Sequence, residues 1–332
     1  MFSILEFVTR MAALIYDWLL GPDRVLFRTT RFLGDGKRVL VSGCDSGIGL
    51  RLAERLHGAG YEVLAGCLST DSPGALKLTQ LGVQVLPLDI TSDDSVKKAL
   101  LLGQVHEKGL WGLVNNAGVC VLGEFEWLTQ EQVERTVGVN LLGTLRLTKA
   151  CLPFIRRAKG RVVVVSTVVA ISGFPCMAAY CASKVALESF CNCLRVELAR
   201  HGAYVSVIRP GDLVKHTALM TRQASDAKAM WECMDDEQRA AHRLHMAGFM
   251  SGWVSQGGML SPPQLDDSPV FGHVEHALGA QRPRARYHSD KTLWALFLRT
   301  LAVLPTTLSD SIMGLFYTIV KRLGVQHAKK AS

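Results

Sequence analysis

Several things are missing from this chain of 332 residues, and each absence narrows what it can be. No lysine–arginine run exceeds two residues, and basic and aromatic residues do not interleave, although the net charge is +8. A nucleic-acid site needs clustered cations against phosphates, so no nucleic acid is expected as a partner. The positive balance points instead to an anionic membrane face or an anionic cofactor. There is no Cys-x-x-Cys pair. The nine cysteines are odd in number and lie mostly in apolar runs such as Leu64-Ala65-Gly66-Cys67-Leu68, which fits buried thiols in a reducing compartment. The histidines show no ligand spacing with them, so no metal site is expected. Internal repeats and low-complexity tracts are also lacking. What is present in quantity is apolar: 48% hydrophobic against 20% charged residues, enough for a sizeable core.

No clean membrane span is legible either. Residues 1–20 are strongly apolar, but Glu6, Arg10 and Asp17 break the run, and a span needs about 20 nearly uncharged residues. The segment lacks a signal peptide's basic start and cleavage site. Its acids and single arginine make a poor mitochondrial presequence. Residues 1–36 therefore read as an interfacial, membrane-associating helix. The expected place is an intracellular membrane surface, the endoplasmic reticulum rather than the mitochondrion.

Residues 37–290 read as a single α/β domain. Strand candidates are Arg38–Ser42, Glu62–Cys67, Gln84–Leu88, Gly112–Asn115, Arg161–Thr167 and Tyr204–Arg209, separated by helical patterns such as Leu50–Leu56. Strand–helix alternation predicts a doubly wound, Rossmann-type parallel sheet. Residues 213–260, rich in Met, Trp, His and Ala, read as helices covering the carboxyl edge of the sheet. Residues 261–290, with Pro262, Pro263, Pro269 and Pro283, read as loop. Residues 291–332 read as an apolar helical extension with a basic tail.

The segment Ser42-Gly43-Cys44-Asp45-Ser46-Gly47-Ile48-Gly49 follows the first strand and opens the first helix. Glycines there permit a tight turn and close approach of backbone to a diphosphate, and the helix start offers unpaired N–H groups. Asp89 ends the third strand, as an adenine contact or as a helix cap at Asp89 or Thr91. Asn116-Ala117-Gly118 end the fourth strand with small residues that let a planar nucleotide lie against the sheet edge. After the second strand, Gly66–Asp71 holds no cation for a 2′-phosphate. No acid sits directly at the strand end, though Asp71 is near. This points to NAD, with NADP as the alternative.

Tyr180 and Lys184 stand four apart, after the strand end Ser166-Thr167. On a helix they share a face, and an ammonium nearby favours the phenolate of a group that ordinarily titrates near ~10. An ordinary surface Tyr–Lys pair is the plain alternative.

Together these motifs, with Asn140 and Pro210-Gly211, resemble the short-chain dehydrogenase/reductase family. Gly43–Gly47, Gly109–Asn116 and Arg282–Tyr287 are similar to the branch of retinol, 11β- and 17β-hydroxysteroid and D-β-hydroxybutyrate dehydrogenases. The resemblance implies reversible oxidation of an alcohol to a carbonyl, with Tyr180 as general acid/base and Lys184 lowering its pKa. It implies Thr167 or Ser166 orienting the substrate oxygen, and Asn140 holding a water that links Lys184 to solvent. It implies a homo-oligomer. Gly43, Ser46, Gly47, Ile48, Gly49, Asp89, Asn116, Ala117, Gly118, Lys184, Pro210 and Gly211 are the implied cofactor residues. The chain departs from the family in two places: Thr167 stands where a serine is usual, and Thr217 comes late after Pro210-Gly211 to meet a nicotinamide amide.

Val168, Val169, Ile171, Phe174, Pro175 and Met177 suit a lipophilic substrate, a hydroxysteroid or retinoid. A small hydroxy acid needs a cation for its carboxylate. Met177 stands where one is expected in a hydroxybutyrate enzyme, with Lys215 and His216 as possible substitutes. D-3-hydroxybutyrate and a non-catalytic nucleotide-binding scaffold at a membrane are the alternatives.

Overall fold

The computed structural model describes residues 34–250, 261–290 and 292–331. The expected amino-terminal membrane segment, 1–36, lies almost wholly outside them. Seven parallel strands form one sheet: β1 (Arg38–Ser42), β2 (Glu62–Cys67), β3 (Gln84–Pro87), β4 (Gly112–Asn115), β5 (Arg161–Val165), β6 (Tyr204–Pro210) and β7 (Arg286–Ser289), in the order β3-β2-β1-β4-β5-β6-β7. β1, β4 and β5 are buried along their whole length, as an apolar parallel sheet covered on both faces must be. Alternate residues of β1 enter opposite cores: Val39 and Val41 one, Leu40 the other.

The first core is closed by α1 (Gly47–Gly58), α2 (Pro73–Gln80) and, from further along the chain, a helix at Val270–Gly279. The second is closed by α3 (Asp93–Leu102), the single turn α4 (Val105–Lys108), α6 (Thr144–Ala158) and α7 (Ala178–Ala199), while α5 (Gln130–Val137) packs beside α7. A π-helical turn, Gly138–Gly143, joins α5 to α6. Such turns shift the register of a helix and are frequent at functional sites.

The expected cover is present as α8 (Gln223–Cys233) and α9 (Asp236–Gly248). The loop reading of 261–290 is corrected: this stretch contains α10 (Val270–Gly279) and β7. Val270, Phe271, Val274, Ala277 and Leu278 bury one helical face. The strand was obscured because it is a short edge strand, Arg-Tyr-His-Ser, in which only Tyr287 is a buried apolar residue. The apolar carboxyl-terminal extension forms α11 (Thr292–Val303) and α12 (Thr306–Ala331). Leu298 and Leu301 pack on Val168. Among the described residues, no helix is long and apolar enough to cross a membrane.

Candidate active site

The order of the sheet reverses direction between β1 and β4, and the crevice beyond the carboxyl ends of such strands is where ligands bind. Here the loops after both strands are clipped together. Ser42 Oγ accepts from Asn116 N and Ala117 N, each at 3.1 Å. Asn116 Nδ2 donates to Ser42 O at 2.9 Å and to Gly43 O at 3.1 Å. Gly43 has φ +72°, and a Cβ there would lie 2.9 Å from Ala117 Cα. A Cβ on Gly49 would meet Gly43 O at 2.0 Å. Both glycines are thus fixed by backbone proximity, which sequence alone left as one option.

The start of α1 fits a diphosphate. Ser46, its extended N-cap, makes no capping bond, and its first turn holds no acid. By contrast Ser72, Ser92, Thr129 and Asp235 cap α2, α3, α5 and α9 with their side chains. The α1 N–H groups and the positive end of its dipole are therefore available to an anion. Ile48 packs beneath the turn against the core. Thr217, expected to come too late, is folded back onto this turn. Its Cα lies 3.2 Å from the position of a Cβ on Gly47, and its Oγ1 is buried without a partner.

At the end of β2 an acid arrives from elsewhere. Asp45, in the glycine turn, accepts from Leu68 N at 3.0 Å and Ser69 N at 3.1 Å. Asp71 is not the acid at this position, and spacing along β2 gave no sign of Asp45. The expected helix cap is corrected: neither Asp89 nor Thr91 caps α3. Asp89 Oδ1 accepts from Thr91 N and Oγ1 at 2.8 and 2.7 Å, and the cap of α3 is Ser92. Pro210 and Gly211 end β6, where Gly211 lies so close to Asp290 that a Cβ would meet its carboxylate at 2.0 Å.

The catalytic candidates converge from β5, the π turn and α7. Tyr180, Lys184 and Glu188 recur every four residues on α7, and all are buried. Lys184 Nζ lies 5.8 Å from the Tyr180 ring centroid and donates to Val165 O at 2.9 Å. Thr167, whose Oγ1 accepts from Val169 N at 3.4 Å, lies beside the Tyr180 phenol and pulls its pKa down. Ser166 does not share this role: its Oγ, buried behind the strand end, donates to Glu188 Oε1 at 2.8 Å. Successive residues of an extended chain face opposite ways, so only one of the two hydroxyls can reach Tyr180.

Burial sets the resting charge state of both groups. Burial first, with the Cys120 thiol beside it, pushes the Tyr180 phenol well above its ordinary value, and Thr167 pulls it back in part. Burial likewise pulls the Lys184 ammonium down to about 8. Desolvation acts on both groups because each charged form is disfavoured in an apolar site.

Asn140 is fully buried on the π turn. It accepts from Val119 N at 2.8 Å and donates to Val119 O at 2.9 Å and Ser183 Oγ at 3.1 Å. Its side chain thus anchors the loop after β4. That loop brings Gly118 beside Lys184: a Cβ there would lie 3.5 Å from Nζ.

These elements match known proteins over most of the chain. Residues 37–228 match the family model for short chain dehydrogenases. The chain is 36% identical to the mitochondrial D-beta-hydroxybutyrate dehydrogenase of Rattus norvegicus, over 92% of each sequence. It is 34% identical to retinol dehydrogenase 7 of Mus musculus, covering 86% of this chain and 89% of that one. A crystal structure of a short-chain dehydrogenase from Streptomyces avermitilis superposes with a TM-score of 0.62 at 22% identity. It covers 86% of this chain and 97% of that one, a likeness of fold. The chain belongs to the short-chain dehydrogenase family. It is an NAD(P)-dependent oxidoreductase that interconverts a hydroxyl and a carbonyl.

Proposed function

We propose that the chain oxidises an alcohol on a lipophilic substrate, or reduces the corresponding carbonyl, with NAD in preference to NADP. The observation that carries this reading is the apolar surround of the Tyr180 phenol. Cys120, Val121, Leu122, Cys176, Met230 and Phe249 form one buried cluster with it, and Met177 and Leu219 pack alongside. Such a wall suits a steroid or retinoid ring.

Tyr180 receives the hydroxyl proton in oxidation and returns it in reduction. Thr167, beside that phenol, aligns the substrate oxygen. Lys184, tied to Val165 O, holds a positive charge one turn away from a phenol that burial otherwise keeps protonated. When bound, the nicotinamide supplies the hydride acceptor or donor. Ser46, Gly47, Ile48 and Gly49 receive its diphosphate, Asn116, Ala117 and Gly118 border the adjoining crevice with Pro210 and Gly211, and Thr217 offers its hydroxyl. Asn140 positions the Gly118 loop against Lys184. Asp89, whose Oδ1 is held by Thr91, keeps Oδ2 for the adenine amino group. Asp45 occupies both N–H groups at the end of β2 with negative charge, which disfavours a 2′-phosphate there and supports NAD.

A second reading, D-3-hydroxybutyrate, is favoured by one specific feature. A cleft of about 80 Å³ beside Gly118 and Cys120 is lined by Arg135 and Arg222. Arg135 is held by Asp226 at 2.7 and 2.8 Å, so Arg222 is the cation for a carboxylate. Lys215 and His216 do not line this cleft, and His216 Nε2 is bonded to Pro262 O at 2.7 Å.

We further infer a membrane-surface location inside the cell and a homo-oligomer. Exposed Val303, Leu308 and Leu315 on α11 and α12 support an apolar attachment surface. The endoplasmic reticulum and the mitochondrion both stay open; the rat relative's name favours the latter. Turnover of steroids, retinol and 3-hydroxybutyrate with NAD and NADP tests the substrate reading, with Tyr180→Phe as control. Preference for 3-hydroxybutyrate, abolished by Arg222→Met, selects the second reading. Undiminished turnover in Tyr180→Phe rejects the acid/base assignment.

A further inference from the structure

Away from the catalytic centre, one carboxylate and two imidazoles converge from distant parts of the chain. Glu124 lies in the loop after β4, and His242 and His245 lie three apart on one face of α9. Their ligand atoms all lie within 4.8 Å of one another. His245 Nδ1 is 3.2 Å from Glu124 Oε1, and His242 Nδ1 is 3.9 Å from Glu124 Oε2.

We propose that Glu124, His242 and His245 bind one divalent transition-metal ion of the zinc class, which staples the cover helix α9 to the loop after β4. Two imidazole nitrogens and one carboxylate oxygen are a donor set that zinc accepts in tetrahedral geometry, with a fourth position left for water.

Further support comes from the partners around the rings. Metal-bound histidines almost always use the second ring nitrogen in a hydrogen bond that fixes ring and tautomer. Here His242 Nε2 is bonded to Glu126 Oε2 at 3.2 Å, and His245 Nε2 to Tyr317 Oη at 3.0 Å. His242 thus turns Nδ1 toward Glu124 with Glu126 on its Nε2, whereas Tyr317 Oη and Glu124 Oε1, bonded to each other, lie together along one edge of the His245 ring. Tyr317 Oη also donates to Glu124, which fixes the carboxylate. The edge of Trp127 packs against both imidazoles, at 5.8 and 5.2 Å between centroids. His245 is 8% exposed and His242 16%, so the donors are shielded and the ion still has an entry path. Sequence inspection paired histidines with cysteines and found nothing. These ligands include no cysteine, and the fold alone brings the glutamate to them.

Three segments meet at the site: the loop after β4, α9 and, through Tyr317, α12. Cys176 Sγ, 3.6 Å from Tyr317 Oη, belongs to the same buried cluster as Tyr180. An ion here would therefore hold the cover against the substrate wall.

The test uses the full-length chain stripped of metal with a chelator and titrated with zinc by calorimetry. Exposed Cys193 and Cys233 are replaced by serine in the parent so that thiols do not compete. One zinc per chain is expected, with cobalt(II) giving the intense visible bands of a tetrahedral site. His242→Gln, His245→Gln and Glu124→Gln are each expected to weaken binding by more than the about 10- to 100-fold that loss of an outer partner costs, with circular dichroism reporting folding. If His245→Gln fails to fold, the more exposed His242→Gln decides. Absence of stoichiometric uptake, or uptake unchanged in His242→Gln, overturns the proposal and leaves a cluster held by protons alone.

Discussion

Ser166 Oγ donates 2.8 Å to Glu188 Oε1, a residue one helical turn beyond Lys184 on the same buried face of α7. The same carboxylate accepts from Arg209 Nε at 2.9 Å and Nη2 at 2.5 Å. The bond anchors the end of β5, whose Val165 O receives Lys184 and whose Thr167 meets Tyr180. Glu188 is thus a positioning residue that acts through Ser166.

Glu188→Ala strands Arg209, a mostly buried guanidinium, without its carboxylate. Breaking such a pair costs about 3 to 5 kcal/mol, so a clear fall in melting temperature is expected by calorimetry. A loss in kcat greater than the change in KM is expected beside it, because the reacting groups shift while the apolar wall remains. Glu188→Gln, which keeps an acceptor for Ser166, is expected to recover part of kcat.

Thr167 and Ser166 separate by substitution. Thr167→Val removes the hydroxyl at nearly constant volume and is expected to lower kcat/KM by about a hundredfold or more. Thr167→Ser keeps the hydroxyl and much of the activity. Ser166→Ala leaves Tyr180's partner intact, so a modest effect is expected. Steady-state kinetics decide, and equal losses at both positions contradict the assignment.

The pH dependence follows from Lys184. Its folded-state value is pulled down to about 8 from 10.5 by burial. Between those values the unfolded chain carries a proton that the folded chain does not, so stability rises with pH across that window. The contribution is complete above 10.5 and lost as pH falls through about 8. A shift of this size corresponds to about 3 kcal/mol. Urea melts of the parent across the window should show this slope, and Lys184→Met should lack it.

Asp45 predicts cofactor choice. Asp45→Asn removes the charge but keeps the acceptor for Leu68 N and Ser69 N in part. The ratio of kcat/KM for NAD over NADP should fall about tenfold, since removing a like-charge opposition is worth about 1.4 kcal/mol per tenfold change. An unchanged ratio places the discriminating group elsewhere.

Much of the fold was legible because it depends on local pattern. Six strands were placed nearly to the residue, since apolar β-branched runs such as Arg161–Val165 alternate with amphipathic helices. β7 was not, because an edge strand in which polar Arg286 and His288 alternate with Tyr287 carries little apolar signal. In the site, the glycine turn and the Tyr180–Lys184 spacing were visible. Asp45, Glu188 and the position of Thr217 were not.

By itself the sequence determined what short-range geometry dictates: a parallel α/β sheet, a glycine turn opening a helix, and a tyrosine and lysine one turn apart. Tertiary structure decided which hydroxyl faces the phenol, which acid reaches the end of β2, and that Glu124 meets His242 and His245. It also set the balance of charge, because burial, which no spacing reveals, moves Tyr180 and Lys184 against the direction that proximity alone predicts.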